Sequence, residues 1–306
     1  MHSHALICYN TLIKIIMEAV LEVNIETKLS GLLGYPLSQS LSALMQNAAF
    51  KECLLNKIYI PIEVTAENLE TVVRGISKMN FDGFNITKPY KIEIMKYLDE
   101  TDEYARLIGA VNTVAVKNGM LKGYNTDGTG FLRSFEEKSG TKIEGKTVFI
   151  LGCGGAARAV SMTLALNNSG KIYICNRTYE SAVSLAEEIS IKTGRCNAAV
   201  PMVYKDMEEA IGDSDVLINC TSVGMIPGRD ETPLDKSLLN RNLTVCDVIY
   251  NPRRTRLIRD AEEAGSKTVT GEAMLVYQGA EAFELWTKKA APVKTMFDVV
   301  NNSLNL

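Results

Sequence analysis

The sequence contains very little histidine, and this limits the chemistry that the chain can perform. Its 306 residues include only two histidines, His2 and His4, both at the amino terminus. Histidine is the side chain most often used as a general acid or base near neutral pH. Proton transfer is therefore expected to use Lys, Asp, Glu, Tyr or Cys, unless the amino-terminal segment folds into the site. We interpret the His2-x-His4 pair as part of a solvated tail, and we predict no metal site.

Cysteine motifs, strong net charge and long apolar runs are also missing. The seven cysteines form no C-x-x-C pair, which favours reduced thiols in a cytoplasmic protein over disulfides or zinc. A net charge of −3 gives no indication of nucleic-acid or membrane binding. Residues 1–27 lack a basic start, and Tyr9, Asn10, Lys14 and Glu18 interrupt their apolar run. We interpret them as a helical or disordered extension, because they are too broken to span a membrane and make a poor signal peptide.

The length of the chain predicts two domains, because one hydrophobic core rarely serves this many residues. We expect an extension over residues 1–27 and a first α/β domain over 28–138. A second domain is expected over 139–270, after the polar connection SGTKIEG. Residues 271–306 are expected to form helices that pack back toward the first domain.

Strand and helix patterns alternate through the first domain, which predicts a parallel sheet covered by helices. Asn118-Gly119 predicts a hairpin between two further strands. The third strand, FDGFNI, includes Asn85 and is followed by Thr87 and Lys88. Pro89 then predicts the first turn of a helix, with Lys91 one turn in. Ligands bind at the carboxyl ends of strands in open α/β sheets; the alternative for Lys91 is a solvated helix charge.

Four other polar residues occupy positions that suit a ligand. Ser40 and Ser42 lie at the start of a predicted helix, where hydroxyls and free N–H groups suit an anion. Instead of binding a ligand, either serine could cap the helix. Asp127, which follows the hairpin, could likewise cap the next helix. Gln278, one turn from Met274 on an otherwise apolar helix, needs a hydrogen-bonding partner.

The strongest pattern in the sequence is a glycine-rich turn between a strand and a helix. Residues 147–151 are a short apolar run typical of a buried strand, residues 152–157 read G-x-G-x-x-A, and an apolar helix pattern follows. Glycines let the backbone approach a pyrophosphate, and the N–H groups of a helix N-terminus bind phosphates. This context favours a dinucleotide site over a turn that only packs a helix against a sheet.

The end of the next strand indicates which dinucleotide would bind. The strand KIYIC is followed by Asn176, Arg177 and Thr178. Sites for NAD usually place an acidic residue here, which would repel a 2′-phosphate, whereas arginine pairs with that phosphate through two hydrogen bonds. The sequence therefore favours NADP over NAD. Thr178 is also expected to cap the next helix.

Several short motifs occur in order from Lys28 to the carboxyl terminus. They are S-L-S after G-Y-P, N-I-T-K-P-Y-K, G-A-V-N-T, N-T-D-G, G-C-G-G-A, N-R-T and G-E-A-M-L-V-Y-Q. This combination resembles the shikimate dehydrogenase family. The resemblance implies an α/β substrate domain and a Rossmann-type NADP-binding domain separated by a cleft. It also implies reversible reduction of 3-dehydroshikimate, a small-molecule substrate, to shikimate by a cytoplasmic enzyme, and it allows a homodimer.

The resemblance also implies roles for individual residues. Lys91 and Asp127 would form the catalytic pair, with Lys91 orienting the hydroxyl and exchanging its proton. Expected substrate contacts come from Ser40, Ser42, Thr87, Asn112, Asp127, Tyr250 and Gln278. Expected cofactor contacts come from Gly152, Cys153, Gly154, Gly155, Ala156, Asn176, Arg177, Thr178, Val248 and Gly271.

The sequence departs from the family pattern at several positions. Family members usually read H-S-x-S-P where this chain has residues 39–43, Q-S-L-S-A, and they often have histidine at the position of Gln46. A basic residue is frequent at the position of Ser181, and its absence weakens the preference for NADP. Tyr124 resembles the quinate/shikimate dehydrogenase branch, which can use quinate and NAD, whereas Thr87 matches the shikimate-selective pattern. Two further functions stay open: a non-catalytic ligand sensor of the same fold, and a different NADP enzyme with this nucleotide unit.

Overall fold

The structure, a computed structural model, describes residues 23–37 and 40–304. The interpretation of residues 1–22 as a helix or disordered extension, and the position of Gln39, lie outside the described residues. No helix within the described ranges is long and apolar enough to cross a bilayer.

The first sheet is mixed rather than fully parallel. Its order is β2-β1-β3-β5-β6-β4. The strands are β1 Lys28–Gly34, β2 Lys57–Glu63, β3 Phe81–Ile86, β4 Glu100–Thr101, β5 Thr113–Lys117 and β6 Met120–Tyr124. β1 runs parallel to β2 and β3, as predicted, but β5 runs antiparallel to both β3 and β6. The turn at Asn118 (φ 53°) and Gly119 (φ 77°) forms the predicted β5–β6 hairpin. The prediction of a parallel sheet is wrong for this half, because β5 also pairs antiparallel with β3.

Helices cover this sheet and lead into the second domain. They are α1 Ser42–Glu52, α2 Leu69–Ile76, α3 Glu103–Ile108 and α4 Asp127–Ser139. α2 buries Leu69, Val73 and Ile76 on one face, the spacing expected of an amphipathic helix. The prediction of a helix around Lys91 is wrong: the residues after β3 form turns, and a short 3₁₀ helix begins only at Glu93.

The second sheet is parallel throughout and has the order β12-β11-β10-β7-β8-β9. Its strands are β7 Val148–Leu151, β8 Ile172–Cys175, β9 Asn197–Val200, β10 Val216–Asn219, β11 Thr244–Asp247 and β12 Lys267–Val269. The helices between them are α5 Gly155–Leu166, α6 Tyr179–Thr193, α7 Tyr204–Gly212 and α8 Arg256–Glu263. The chain passes from β7 to β8 on one side and then to β10 on the other, so a ligand crevice opens beyond β7. The Rossmann-type architecture predicted from the glycine turn is confirmed.

The last two helices, α9 Glu272–Thr287 and α10 Val293–Leu304, lie against the first half of the chain. On α9, Phe283 stacks on Phe50 with ring centroids 5.5 Å apart, and the Trp286 indole donates to the Val114 carbonyl at 3.0 Å. α10 packs on α1, with Met296 fully buried. The chain thus leaves the second sheet and completes the core of the first.

Candidate active site

A buried ion pair lies where the two sheets meet. The Lys91 Nζ is 2.7 Å from Asp127 Oδ2, and only 18% of the lysine side chain and 7% of the aspartate side chain are exposed. Lys91 follows β3, and Asp127 is the first residue of α4. Two elements far apart in sequence therefore bring a cation and a carboxylate together at the edge of a cleft.

Lys91 does not lie one turn into a helix, as its spacing from Pro89 predicted. Its carbonyl accepts a hydrogen bond from the Val111 N–H at 2.7 Å, which ties this segment to a distant part of the chain rather than to a following helical turn. The Tyr90 hydroxyl donates to the Val64 carbonyl at 2.7 Å and is buried. These two contacts fix the turn and direct Lys91 toward Asp127.

Asp127 does not cap its helix, so the capping interpretation of this residue is wrong. The Asn125 side chain has that role, since its Oδ1 accepts from the N–H groups of Asp127 and Gly128 at 3.1 and 3.4 Å. The Asp127 carboxylate instead uses one oxygen for Lys91 and the other for Asn112, whose Nδ2 donates to Oδ1 at 3.0 Å. Both oxygens are therefore held in defined directions.

Asn112, a predicted substrate contact, lies at the centre of a buried polar network. Its Oδ1 accepts from the Thr126 N–H at 2.7 Å, and its Nδ2 is 3.4 Å from Gln278 Oε1. The Gln278 Nε2 donates to the Leu275 carbonyl of its own helix at 2.8 Å. Gln278 therefore has the hydrogen-bonding partners that the sequence predicted, one at its amide oxygen and one at its amide nitrogen.

Asn85 was expected at the ligand-binding end of its strand, but its support of this network was not predicted. Asn85 is buried within β3, where it accepts from the Tyr59 hydroxyl at 2.8 Å and donates to the Thr113 hydroxyl at 2.9 Å. The available signal was the repeated Asn-Thr pair, at 112–113 where β5 begins and at 125–126 directly after β6. Because the hairpin is antiparallel, these pairs come together beside Asp127.

The predicted serine site lies opposite Tyr250. Ser42 is buried at the start of α1, and its N–H is 3.3 Å from Ser40 Oγ. The pKa of Tyr250 is raised by burial, against hydrogen bonds with the Leu41 backbone and the Ser40 side chain. Tyr250, on the loop after β11, therefore contacts the serine segment across the cleft.

The Thr87 side chain lies near the same end of β1. Its methyl group packs so closely on Gly34 that a Cβ there would be 2.3 Å away. This contact fixes the orientation of the Thr87 hydroxyl.

The glycine turn lies directly against Lys91. A Cβ at Gly155 would be 3.0 Å from Lys91 Cβ and 3.1 Å from its Cδ, whereas a Cβ at Gly154 would meet nothing within 4 Å. Gly152 has φ 106°, a conformation that favours glycine. Neither a capping side chain nor an acidic residue of its first turn occupies the N-terminus of α5. The turn thus offers open space and free N–H groups that fit a pyrophosphate.

The remaining predicted cofactor residues line the same crevice. Cys153 and Ala156 belong to the turn, and Asn176, Arg177 and Thr178 follow β8. Arg177 and Thr178 are exposed. Thr178 occupies the N-cap position of α6 but makes no side-chain capping bond, so its predicted capping role is wrong.

Val248 and Gly271 meet at the far end of the crevice. A Cβ at Gly271 would be 2.5 Å from the Val248 carbonyl oxygen. This position requires glycine because the backbone of the two segments is in close contact.

Thiol and phenol groups near the turn are poor proton carriers. Burial raises the pKa of Cys153 to about 11, and it raises the pKa of Cys220 further. Both thiols therefore stay protonated near neutral pH, as does the half-buried Tyr250, whose pKa is also raised. Lys91 and Asp127, 2.7 Å apart, remain as the candidate proton-carrying groups of the cleft.

Comparison with known families gives matches along most of the chain. The shikimate dehydrogenase substrate binding domain matches residues 32–114, the shikimate/quinate 5-dehydrogenase family matches residues 134–248, and the shikimate 5′-dehydrogenase C-terminal domain matches residues 271–300.

Individual relatives match over nearly their full length. A shikimate dehydrogenase (NADP⁺) from Methanopyrus kandleri is 46% identical over 285 residues, covering 93% of this chain and 98% of the relative. A crystal structure of a shikimate dehydrogenase in complex with NADP⁺ superposes with a TM-score of 0.86 at 40% identity, covering 92% of this chain and 98% of the other. The Listeria monocytogenes enzyme, solved with shikimate and NAD, superposes with a TM-score of 0.84 at 39% identity, covering 91% and 98%.

Proposed function

Because the chain belongs to the shikimate dehydrogenase family, we propose that it catalyses the NADP-dependent, reversible reduction of 3-dehydroshikimate to shikimate. The observation that carries this proposal is the Lys91–Asp127 pair, 2.7 Å apart and mostly buried beside the nucleotide turn. Hydride transfer to a carbonyl needs a proton for the oxygen, and this pair is the proton-carrying group at the cleft.

Lys91 orients the reacting oxygen and exchanges its proton. An ammonium has three N–H donors, so Lys91 can keep its bond to Asp127 and still donate to a substrate oxygen. Asp127 keeps the ammonium in place and is itself fixed by Asn112 at 3.0 Å. In the direction of reduction the proton passes from Lys91 Nζ to the oxygen, and solvent then restores it, since 18% of the side chain is exposed.

The remaining polar groups bind the ends of the substrate. The serine cluster, Ser40 and Ser42, suits a carboxylate together with Tyr250, because the Tyr250 hydroxyl is bonded to the Ser40 side chain and Ser40 Oγ accepts from the Ser42 N–H. Thr87, Asn112 and Gln278 bind the ring hydroxyls from the other side. The buried network behind Asn112 supports this assignment, because it leaves these groups few alternative orientations.

The nucleotide turn fits NADP. When bound, the nicotinamide supplies or accepts the hydride. Residues 152–156 hold the pyrophosphate, Asn176, Arg177 and Thr178 hold the 2′-phosphate, and Val248 with Gly271 lines the nicotinamide end. The open space at Gly154 and the exposed Arg177 support this fit.

The proposal is tested by replacing Lys91 with alanine. Shikimate-dependent NADPH formation should fall about 100-fold or more, the usual contribution of a general acid–base group, with a smaller change in KM. Lys96→Ala, an exposed lysine of the following 3₁₀ helix, is the matched control and should keep normal turnover. Near-normal turnover of Lys91→Ala would refute the assignment.

Quinate/shikimate dehydrogenase activity is the second candidate, favoured by Tyr124 and by the NAD-bound relative. Turnover of quinate with NAD, measured beside shikimate with NADP, separates the two activities. A non-catalytic sensor of the same fold would bind shikimate without forming NADPH.

We further propose that the enzyme works in the cytoplasm. The six cysteines in the described ranges, Cys53, Cys153, Cys175, Cys196, Cys220 and Cys246, are all free, which is typical of a reducing compartment. A homodimer remains a prediction, which light scattering on the purified protein would test.

A further inference from the structure

A buried carboxylate joins the loops that leave β10 and β11. Asp247, the last residue of β11, is 2% exposed. Its Oδ1 accepts from Asn219 Nδ2 at 3.1 Å and from the Ile249 N–H at 3.0 Å. Its Oδ2 accepts from the Thr255 hydroxyl at 2.7 Å. One side chain therefore connects the end of the neighbouring strand, the start of its own loop and the N-cap of α8.

Burying the carboxylate of Asp247 is energetically unfavourable, which suggests that this side chain has a specific role. Burial raises its pKa to about 7, although all three hydrogen bonds act in the opposite direction. A carboxylate in apolar surroundings is tolerated only when its oxygens are paired. The two oxygens of Asp247 accept from three donors on three separate segments. The geometry therefore uses Asp247 as a junction.

The segment held by this junction is residues 248–255. Its outer part is fixed by Arg253, whose guanidinium lies 3.1 Å from the buried Glu272 at the start of α9. Its start is fixed by the close approach of Gly271 to the Val248 carbonyl. Thr255, which also accepts from the Ile258 N–H at 3.3 Å, ends the segment at α8.

Tyr250 lies between these fixed points and reaches across the cleft. Its hydroxyl makes hydrogen bonds with the Leu41 backbone and the Ser40 side chain. Only the loop connects Tyr250 to the second sheet, so its position over the serine cluster depends on how the ends of the loop are held.

We propose that Asp247 is a positioning residue: by tying both ends of the 248–255 loop, it holds the Tyr250 hydroxyl at the serine end of the substrate cleft. This role rests on the proposed function, because the substrate carboxylate is the group that Tyr250 and Ser40 would bind together. Asp247 itself touches neither end of the substrate.

Steady-state kinetics test this role. Asp247→Ala should raise KM for shikimate about tenfold or more, as expected when a binding group is misplaced by a change away from the chemistry. Asp247→Asn keeps one oxygen for Ile249 and Asn219 and should restore most of the loss. Asp235→Ala removes an exposed aspartate that accepts from Ser237, and it should leave KM unchanged.

A second pair of variants guards against misfolding of Asp247→Ala. Thr255→Val removes the hydroxyl bond to the carboxylate with little change of shape, and Thr255→Ser keeps it. KM for shikimate should rise in the valine variant and stay near normal in the serine variant. Equal KM values in the two would overturn the proposal.

A double-mutant cycle with Tyr250→Phe separates positioning from general stability. If Asp247 acts through Tyr250, removing the phenol hydroxyl should raise KM much less in Asp247→Ala than in the unmodified protein. Fully additive effects, or an unchanged KM in Asp247→Ala, would contradict the role.

Hydrogen exchange tests the positioning without using activity. Amides in residues 248–255 should exchange faster in Asp247→Ala than in Asp247→Asn, and amides of β7 should not change. If the unmodified protein forms no NADPH with shikimate, the proposed function fails, and faster exchange in this loop still supports the junction. Unchanged exchange in an active enzyme overturns the junction alone.

Discussion

Gly154 and Gly155 are adjacent in the nucleotide turn, yet a Cβ atom added to each would meet different surroundings. At Gly155 it would press on the stem of Lys91 at 3.0 Å, and at Gly154 it would enter open space. Lys91 cannot move away freely, because its ammonium is tied to Asp127. A residue expected to bind the cofactor therefore also borders the side chain proposed to carry the proton.

This contact predicts different kinetic effects for two similar substitutions. Gly155→Ala should lower kcat about tenfold or more by displacing Lys91, because small misplacements of reacting groups are costly. Gly154→Ala should instead raise KM for NADP, since its methyl group would occupy the space expected for the pyrophosphate. Initial rates at varied NADP and shikimate distinguish the effects. The same change of kcat and KM in both variants would argue against the contact with Lys91.

Arg177 is the only basic residue of the Asn176-Arg177-Thr178 motif that follows β8. Ser181 occupies the nearby position where the family often has a second basic residue. A guanidinium binds phosphate through paired, charge-assisted hydrogen bonds. Arg177→Ser should raise KM for NADP about tenfold or more and leave KM for NAD nearly unchanged. Ser181→Lys should have the opposite effect and strengthen NADP binding. Equal changes for NAD and NADP in either variant would show that this strand end does not read the 2′-phosphate.

At the scale of elements, the sequence predicted best where the signal is local. The apolar helix expected around Met274 and Gln278 is α9, which spans Glu272–Thr287. The Asn118-Gly119 turn also occurs as predicted, because both of its residues adopt positive φ. Such elements need no information from distant parts of the chain.

Elements were predicted wrongly where a distant partner decides the local conformation. Pro89 suits the first turn of a helix, but the Lys91 carbonyl is bound by Val111, about twenty residues later. Likewise, the direction of β5 depends on its pairing with β3. Neither contact has a signature in a single stretch of sequence.

At the scale of the whole molecule, the candidate site is assembled from segments spread over the entire chain. The candidate residues of the cleft were predicted from short motifs, because each motif can be recognised in its own stretch of sequence. Asn85 was expected only as part of a strand end, and Asp247 was not predicted at all. Both residues form hydrogen bonds to side chains on other strands. A lone buried Asn or Asp in an apolar strand does not reveal its partners.

The same buried Asp247 gives the molecule a pH-dependent stability. Its pKa is raised by burial from 3.8 to about 7, so the folded protein holds a proton that the unfolded chain releases. A group with a raised folded-state pKa stabilises the fold at low pH, and this contribution is lost as the pH rises through the folded pKa. Its titratable neighbours Cys220 and Cys246 do not interfere, because burial raises the pKa of both thiols far above neutral.

Asp247→Asn removes the titratable carboxyl group. Comparing the pH dependence of unfolding in this variant and in the unmodified protein therefore isolates the contribution of Asp247. Between about pH 5 and about pH 8 the unmodified protein should lose about 3 kcal/mol of unfolding free energy relative to the variant, at 1.36 kcal/mol per pH unit up to the folded pKa. Urea unfolding of both proteins across this range measures the difference, and the shared background titration of all other groups cancels. If the two curves stay parallel, Asp247 is ionised throughout and its three hydrogen bonds outweigh its burial.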